Sequence, residues 1–252
     1  MTSKNHSRSL VIIPAYNEEK RIAAVVAGVR AAVPGAGIVV INDRSRDGTA
    51  AAARRAGAIV ISHPFNMGYG VAVQTGYKYA LANHYDFLVQ LDADGQHDPA
   101  CIPDLLAPVV TGSTDVAIGS RFLGKSYNPP LARRVAMALF RRIVFLATGK
   151  FLTDTTSGYQ AFNRNVIRFF ATDIFPVDYP DADMLITLHR AGFRMTEVPV
   201  RMFENSEGKS MHGGLKPVYY MYKMLLSIGV TLMRSRVKTN KLSNPCATTR
   251  TS

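Results

Sequence analysis

Residues 87 to 99 read FLVQLDADGQHDP, an apolar run that ends on two carboxylates, Asp92 and Asp94, followed at once by Gly95. Side chains of a strand alternate, so residues two apart point the same way, and strand ends in an open α/β sheet are where ligands are usually met. Asp92 and Asp94 can therefore face one hard cation. Mg²⁺ or Mn²⁺ suits such oxygen ligands, above all when a substrate phosphate supplies further ones. A plainer reading of D-x-D is a solvated turn after a strand, so the surrounding chain has to decide.

Upstream of this stretch the pattern of strand, polar loop and helix recurs. Residues 9 to 14 (SLVIIP) form an apolar run of the buried parallel-strand kind, and a helix follows from about Glu18 to Ala32. Gly37 to Ile41 is a second strand, after which Ser45, Asp47 and Thr49 offer capping oxygens to an alanine-rich helix that ends near Ala56. Ala58 to Ser62 is a third strand. The stretch from His63 to Gly76 (HPFNMGYGVAVQTG) is glycine-rich and enters a helix that extends to Ala82. It is not a dinucleotide fingerprint, because Val73 stands where G-x-G-x-x-G needs its third glycine. Gly68 and Gly70 read instead as a tight turn or a close backbone approach. Such repetition predicts an α/β fold with a mostly parallel central sheet and right-handed crossovers.

Downstream, Ile102 to Val110 is helical and Asp115 to Gly119 is a strand closed by Ser120 and Arg121. Leu131 to Ala147 is a helix with a wide apolar surface at Leu139, Ile143, Phe145 and Leu146, suited either to packing on the sheet or to lying in a membrane interface. DTTSGY at 154 to 159 precedes a short strand and a helix at 165 to 170; a further helix covers 184 to 191 and a strand 195 to 200. Residues 201 to 214 lack periodicity and read as a mobile loop able to order over a ligand. Pro217 to Met233 is strongly apolar but short for crossing a bilayer, with Tyr219, Tyr220 and Tyr222 of the type that interfaces favour. Arg234, Arg236, Lys238 and Lys241 follow, placed to meet anionic head groups.

The expected division is a disordered start at 1 to 8, a catalytic domain at 9 to 214 with a donor part to about 122 and an acceptor part from 123, an interfacial helix at 215 to 236, and a disordered basic tail at 237 to 252. The 252 residues carry 30 Lys and Arg against 18 Asp and Glu, a net +12 that calls for an anionic partner: nucleic acid, a membrane surface or a phosphorylated substrate. Nucleic acid is disfavoured, because the tyrosines crowd one apolar helix instead of interleaving with cations along a surface. Cys101 and Cys246 have no metal-ligand or disulfide spacing, and the first ten residues hold no apolar core of a secretory signal.

With VIIPAYNEE at 11 to 19, NDRSRDGT at 42 to 49, HPFNMGYG at 63 to 70, LDADGQHDP at 91 to 99 and GSRF at 119 to 122, the chain resembles the family 2 glycosyltransferases of GT-A fold. Within them it looks most like the dolichol-phosphate-mannose synthase and polyprenyl-phosphate sugar transferase branch. The resemblance spans about 10 to 235 and implies a nucleotide-sugar donor, a Mg²⁺ or Mn²⁺ cofactor, and inverting transfer of one sugar to a polyprenyl phosphate at the cytoplasmic face of a membrane. Peripheral membrane contact, a separate small membrane protein, or self-association would hold such a chain there. The alternative it implies is a family 2 enzyme acting on a hydroxyl acceptor.

Carried onto this sequence, Pro14, Ala15, Tyr16 and Glu18 would line the nucleotide pocket, and Asp43 would meet the base or ribose. Asp92 and Asp94 would hold the cation that bridges the diphosphate, with Gln96 beside them; His97 is a ligand or a structural contact. Arg121 would supplement the cation at a phosphate. Asp154 and Ser157, with Gly158, match an acceptor-side segment of the polyprenyl-phosphate branch. Asp181 and Asp183 lie where many members carry the base for a hydroxyl acceptor, and as helix-entry acids they also suit the dipole. Arg201, Lys209 and His212 resemble the branch's basic loop; a phosphate-binding Walker loop is excluded because only G-K-S of it is present. No Q-x-x-R-W motif occurs, which points away from processive synthases.

Overall fold

Strand β1 (Ser9–Ala15) is buried along its whole length, and its alternation explains why. Leu10 and Ile12 point to one face of the sheet while Val11 and Ile13 point to the other, and each set joins a separate apolar core. Such burial on both faces is what a continuous apolar strand sequence encodes, and each enclosed branched side chain contributes about 1.5–3 kcal/mol.

The computed structural model describes residues 8–123, 131–176, 182–203 and 216–233. Helix α1 (Glu19–Ala32), β2 (Gly37–Asn42), α2 (Thr49–Arg55), β3 (Ile59–Ser62), α3 (Tyr69–Ala82) and β4 (Phe87–Gln90) follow β1, then α4 (Ile102–Val110) and β5 (Val116–Ser120). The second half adds α5 (Leu131–Thr148), β6 (Gln160–Asn163), α6 (Arg164–Phe170), α7 (Ala182–Arg190), β7 (Met195–Pro199) and α8 (Lys216–Met233). The seven described strands form one sheet in the order β3-β2-β1-β4-β6-β5-β7. Only β6 runs antiparallel to its neighbours, β4 and β5. The expected α/β class with a mostly parallel sheet is the observed one.

The order of strands places the site. From β1 the chain moves outward through β2 to β3, then returns to lay β4 on the opposite side of β1. The carboxyl ends of β1 and β4 therefore flank the point where the winding reverses, the crevice in which open α/β sheets bind ligands. Pro14 to Glu18 leave one of these ends, and Asp92 and Asp94 leave the other.

Helices α1, α2 and α4 cover one face and α3, α5, α6, α7 and α8 the other. Met137, Phe140, Val144 and Thr148 form the inward stripe of α5, at the spacing of one helix face. Its other side exposes Val135, Leu139, Phe145 and Leu146, so this helix both packs on the sheet and presents an apolar surface. Helix α8 docks through Met224, Ile228 and Thr231, and Arg190 caps its end by donating to the carbonyls of Thr231 and Leu232. Tyr222, Leu225, Leu226 and Val230 face outward. Among the described residues no helix is long and apolar enough to cross a membrane.

Candidate active site

The loops after β1 and β2 close on each other. Asn17 N–H donates to Ser45 Oγ at 3.0 Å, and Arg46 N–H donates back to Asn17 Oδ1 at 2.8 Å. Thr49 Oγ1 accepts from Glu18 N–H at 2.8 Å, Asp47 Oδ2 from Glu19 N–H at 3.2 Å, and Glu19 Oε2 from Gly48 N–H at 3.0 Å. Two helix starts thus satisfy each other's free N–H groups. The expectation that Ser45, Asp47 and Thr49 serve α2 is corrected: apart from Asp47 Oδ1, which takes Thr49 N–H, their oxygens serve the chain entering α1. The reason is register, since Ala15 sits opposite Asn42 and the two loops leave the sheet side by side.

Pro14 and Ala15 are buried at the end of β1, whereas Tyr16 is exposed beyond them. Glu18 is half-buried, with Arg21 Nη1 donating to Oε2 at 3.0 Å. Burial lifts its carboxyl above the ordinary range; Arg21 opposes the lift and the charge of Asp94 adds to it. Glu18, Arg21 and Asp94 therefore share one neighbourhood, as expected for two loops meeting at the switch point.

Asp43 is buried and already well supplied with donors. Its Oδ1 accepts from Met67 N–H at 2.8 Å and lies 2.8 Å from His63 Nδ1; Oδ2 accepts from Gly68 N–H at 2.8 Å. Its carboxylate thus shapes the turn into α3, where Gly68 takes φ +92°. Of roughly four lone-pair sites on a carboxylate, about one remains for a ribose or base donor.

Asp92 and Asp94 are both partly exposed beyond β4. Asp92 N–H donates to His97 Nδ1 at 3.0 Å, and Asp94 Oδ1 accepts from Gln96 N–H at 2.9 Å, so the loop is fixed from within. His97 is buried, stacks on Tyr159 at 4.8 Å, and has its basicity lowered by burial against the opposing pull of Asp92 and Asp94. It serves as a structural contact. Burial raises the Asp94 carboxyl; Gln96 N–H counters this and the neighbouring Asp92 charge adds to it. Two carboxylates so placed fit a divalent cation, which would relieve their repulsion. Among the described residues no group of three or more His, Cys, Asp or Glu is arranged to hold a metal ion.

The 154 to 159 segment lies directly against this pair. A Cβ on Gly158 would stand 3.3 Å from Asp92 Oδ2, so glycine is what lets the segment approach. Ser157 is buried and its Oγ accepts from Tyr159 N–H at 3.3 Å. Tyr159 hydroxyl donates to Asp98 carbonyl at 2.9 Å, locking the segment to the loop after β4. Asp154, fully buried, receives Arg121 Nε at 2.6 Å and Nη2 at 3.2 Å, while its own N–H and that of Thr153 reach Glu197 at 2.8 Å. Arg121, expected at a phosphate, is held by a forked ion pair with Asp154.

Arg201 is exposed and lies 3.5 Å from Asp98 Oδ2. The strap 201–203 pairs with the loop after β4 through Asp98 N–H to Arg201 carbonyl and Phe203 N–H to Gln96 carbonyl. Asp183, expected as an acceptor base, is fully buried, accepting from Met184 N–H at 2.7 Å and from the Ser227 hydroxyl of α8. Asp181, Lys209, His212 and the cations from Arg234 onward lie outside the described residues.

Sequence reasoning missed Tyr69, Arg21 and His63. Tyr69 hydroxyl donates to Asp92 Oδ1 at 2.8 Å, and His63 holds Asp43. Both stand inside the glycine-rich stretch, but nothing in the linear order couples 69 to 92 or 63 to 43.

Winding, switch point and paired carboxylates together form a ligand crevice at the carboxyl ends of β1 and β4. The model described as "Glycosyl transferase family 2" matches residues 10–173, and the chain belongs to that family. It is 36% identical over 223 residues to the undecaprenyl-phosphate mannosyltransferase of Micrococcus luteus, covering 82% of this chain and 89% of that one. It is 32% identical over 235 residues to the polyprenol monophosphomannose synthase of Mycolicibacterium smegmatis, covering 88% of each. Its fold is similar to that of glucosyl-3-phosphoglycerate synthase from Mycobacterium tuberculosis, solved with Mn²⁺, UDP-glucose and phosphoglyceric acid: TM-score 0.63, 22% identity, 89% of this chain and 78% of that one.

Proposed function

We propose that this glycosyltransferase moves one sugar, with inversion, from a nucleotide-sugar to a polyprenyl phosphate at a membrane surface. The observation that carries the reading is the pair of outward apolar faces on α5 and α8, which both pack against α7. Leu146 and Leu226 are 76% and 52% exposed there, as suits helices resting on lipid. The two curated relatives, named for polyprenyl substrates, support the same acceptor.

Asp92 and Asp94, with Gln96 beside them, would hold Mg²⁺ or Mn²⁺, which when bound stabilises charge on the departing nucleoside diphosphate. Pro14 to Glu18 and the 63–69 turn would bound the nucleotide. Arg121, fixed by Asp154, places a permanent cation in the wall of the site. A lipid phosphate is already anionic at neutral pH, so it needs orientation more than proton removal. The burial of Asp183 supports that reading.

A hydroxyl acceptor is the second reading. The comparisons taken alone support the broader statement, a family 2 nucleotide-sugar transferase, and leave both acceptors standing; the solved fold-relative carries phosphoglyceric acid. The deciding experiment incubates purified protein with membranes, Mn²⁺ and radiolabelled nucleotide-sugars, then extracts into organic solvent. Label in a mild-acid-labile lipid, lost with Asp94→Asn, is expected. Label confined to aqueous products would establish the hydroxyl acceptor instead.

A further inference from the structure

We infer that Tyr69 is a positioning residue for the divalent cation: its hydroxyl fixes the carboxylate of Asp92, and through it sets how tightly the site holds metal. The inference rests on Asp92 and Asp94 as the cation's ligands, and goes beyond that reading in giving Asp92 a dedicated orienting group.

Tyr69 Oη lies 2.8 Å from Asp92 Oδ1 and 3.0 Å from Gln90 Nε2, and Gln90 Oε1 lies 2.8 Å from Tyr77 Oη. Proton counting fixes the direction of this chain. A carboxylate can only accept, so the single phenolic proton of Tyr69 goes to Asp92. Tyr69 must then receive a proton from the Gln90 amide, which leaves the Gln90 carbonyl for the Tyr77 hydroxyl. Turning the amide over would require Gln90 Oε1 to take the Tyr69 proton, leaving two lone-pair oxygens in contact at Asp92. Tyr77 is fully buried among Phe162, Phe170 and Phe175, so the chain ends in the rigid core.

The backbone under Tyr69 is held as firmly. It is the first residue of α3, directly after Gly68, whose N–H is bound by Asp43. Opposite it, a Cβ on Gly158 would stand 3.0 Å from Tyr69 Oη and 3.3 Å from Asp92 Oδ2, so the segment leaves just enough room for the pair. Asp92 is thus gripped twice, at its N–H by His97 and at Oδ1 by Tyr69. Oδ2 makes no hydrogen bond among the described residues; His97 Nε2 is 3.8 Å away. One carboxylate oxygen is committed to orientation and the other is left for a ligand. Groups that orient metal ligands in this way typically change affinity 10–100-fold when removed.

The test measures Mn²⁺ binding to the full chain by the electron paramagnetic resonance of free and bound Mn²⁺, with the metal alone and with uridine diphosphate added. Tyr69→Phe, which keeps the ring and removes the hydroxyl, is expected to weaken Mn²⁺ about 10-fold and to broaden the bound signal, with the melting temperature unchanged. Gly158→Ala, which crowds the same pair from the other side, is expected to weaken it in the same direction. Asp94→Asn serves as the control that removes a ligand. Affinity within two-fold of wild type in Tyr69→Phe, while Asp94→Asn loses the metal, overturns the role of Tyr69 alone. Wild-type binding in Asp94→Asn, or no Mn²⁺ held by the wild-type chain in either condition, overturns the cation site itself.

Discussion

Replacing Asp154 by Asn tests whether the wall of the site is built on a buried ion pair. The change keeps shape and volume, so no cavity forms, and removes only the charge that faces Arg121. The carboxylate is 0% exposed and the guanidinium side chain 9% exposed, with Nε at 2.6 Å. Breaking such a pair by removing one partner costs about 3–5 kcal/mol, because the remaining charge has little access to water. Arg121 has further contacts, which favour the lower end. At about 2–4 °C per kcal/mol for a chain of this size, the melting temperature should fall by roughly 6–20 °C. Differential scanning calorimetry on the purified variant reads this directly. The double variant Arg121→Met with Asp154→Leu removes both charges, and apolar replacements of buried pairs are often neutral in stability. It should therefore melt near wild type and still fail to transfer sugar, separating the fold's need for the pair from the reaction's need for the cation. A drop under about 2 °C in Asp154→Asn would refute the reasoning, since it would mean that water or another anion already compensates Arg121.

Three further outcomes are expected. Ser227→Ala removes the hydroxyl that α8 offers to the buried Asp183 and should cost about 1–3 kcal/mol, read as a lower denaturant midpoint and earlier amide exchange in α8. Burial works to raise the Asp115 carboxyl, but hydrogen bonds from the Arg194 side chain and N–H, its charge, and Asn163 outweigh this and hold it below the ordinary range. Its contribution is therefore present above the usual aspartate value and lost as pH falls from there through the depressed one, so Asp115→Asn should flatten the acid limb of melting temperature against pH between those two values. Leu146→Glu together with Leu226→Glu, at exposed positions, should leave melting unchanged while lowering flotation with anionic liposomes about ten-fold or more, given about 1.5–3 kcal/mol per apolar side chain withdrawn from lipid. Equal flotation of variant and wild type would remove α5 and α8 as the lipid-facing surface.

Much of this molecule is local and so could be read from the chain. Apolar runs such as SLVIIP and FLVQL are strands because only burial on both faces of a parallel sheet accommodates them, and Asp92 and Asp94 stand together because two residues on share a side. The family motifs are also local strings. Their joint occurrence has a physical cause that the sequence did not display: NEE and DGT cap each other's helices across neighbouring strands. Tertiary structure alone decided the partners of side chains distant in sequence. Asp43 was legible as a strand-end acid, but its engagement by His63, Met67 and Gly68 depends on β3 lying beside β2. Asp183 was legible as a helix-entry acid, yet α8, more than forty positions on, turns it inward. Arg121 finds Asp154 only because β6 inserts antiparallel between β4 and β5 and brings the 154–159 segment over the carboxylates, and Tyr69 finds Asp92 because α3 packs across β1 and β4. Periodicity records which face of an element is buried; which side chain meets which depends on strand order and register, and neither has a signature in any single stretch of the chain.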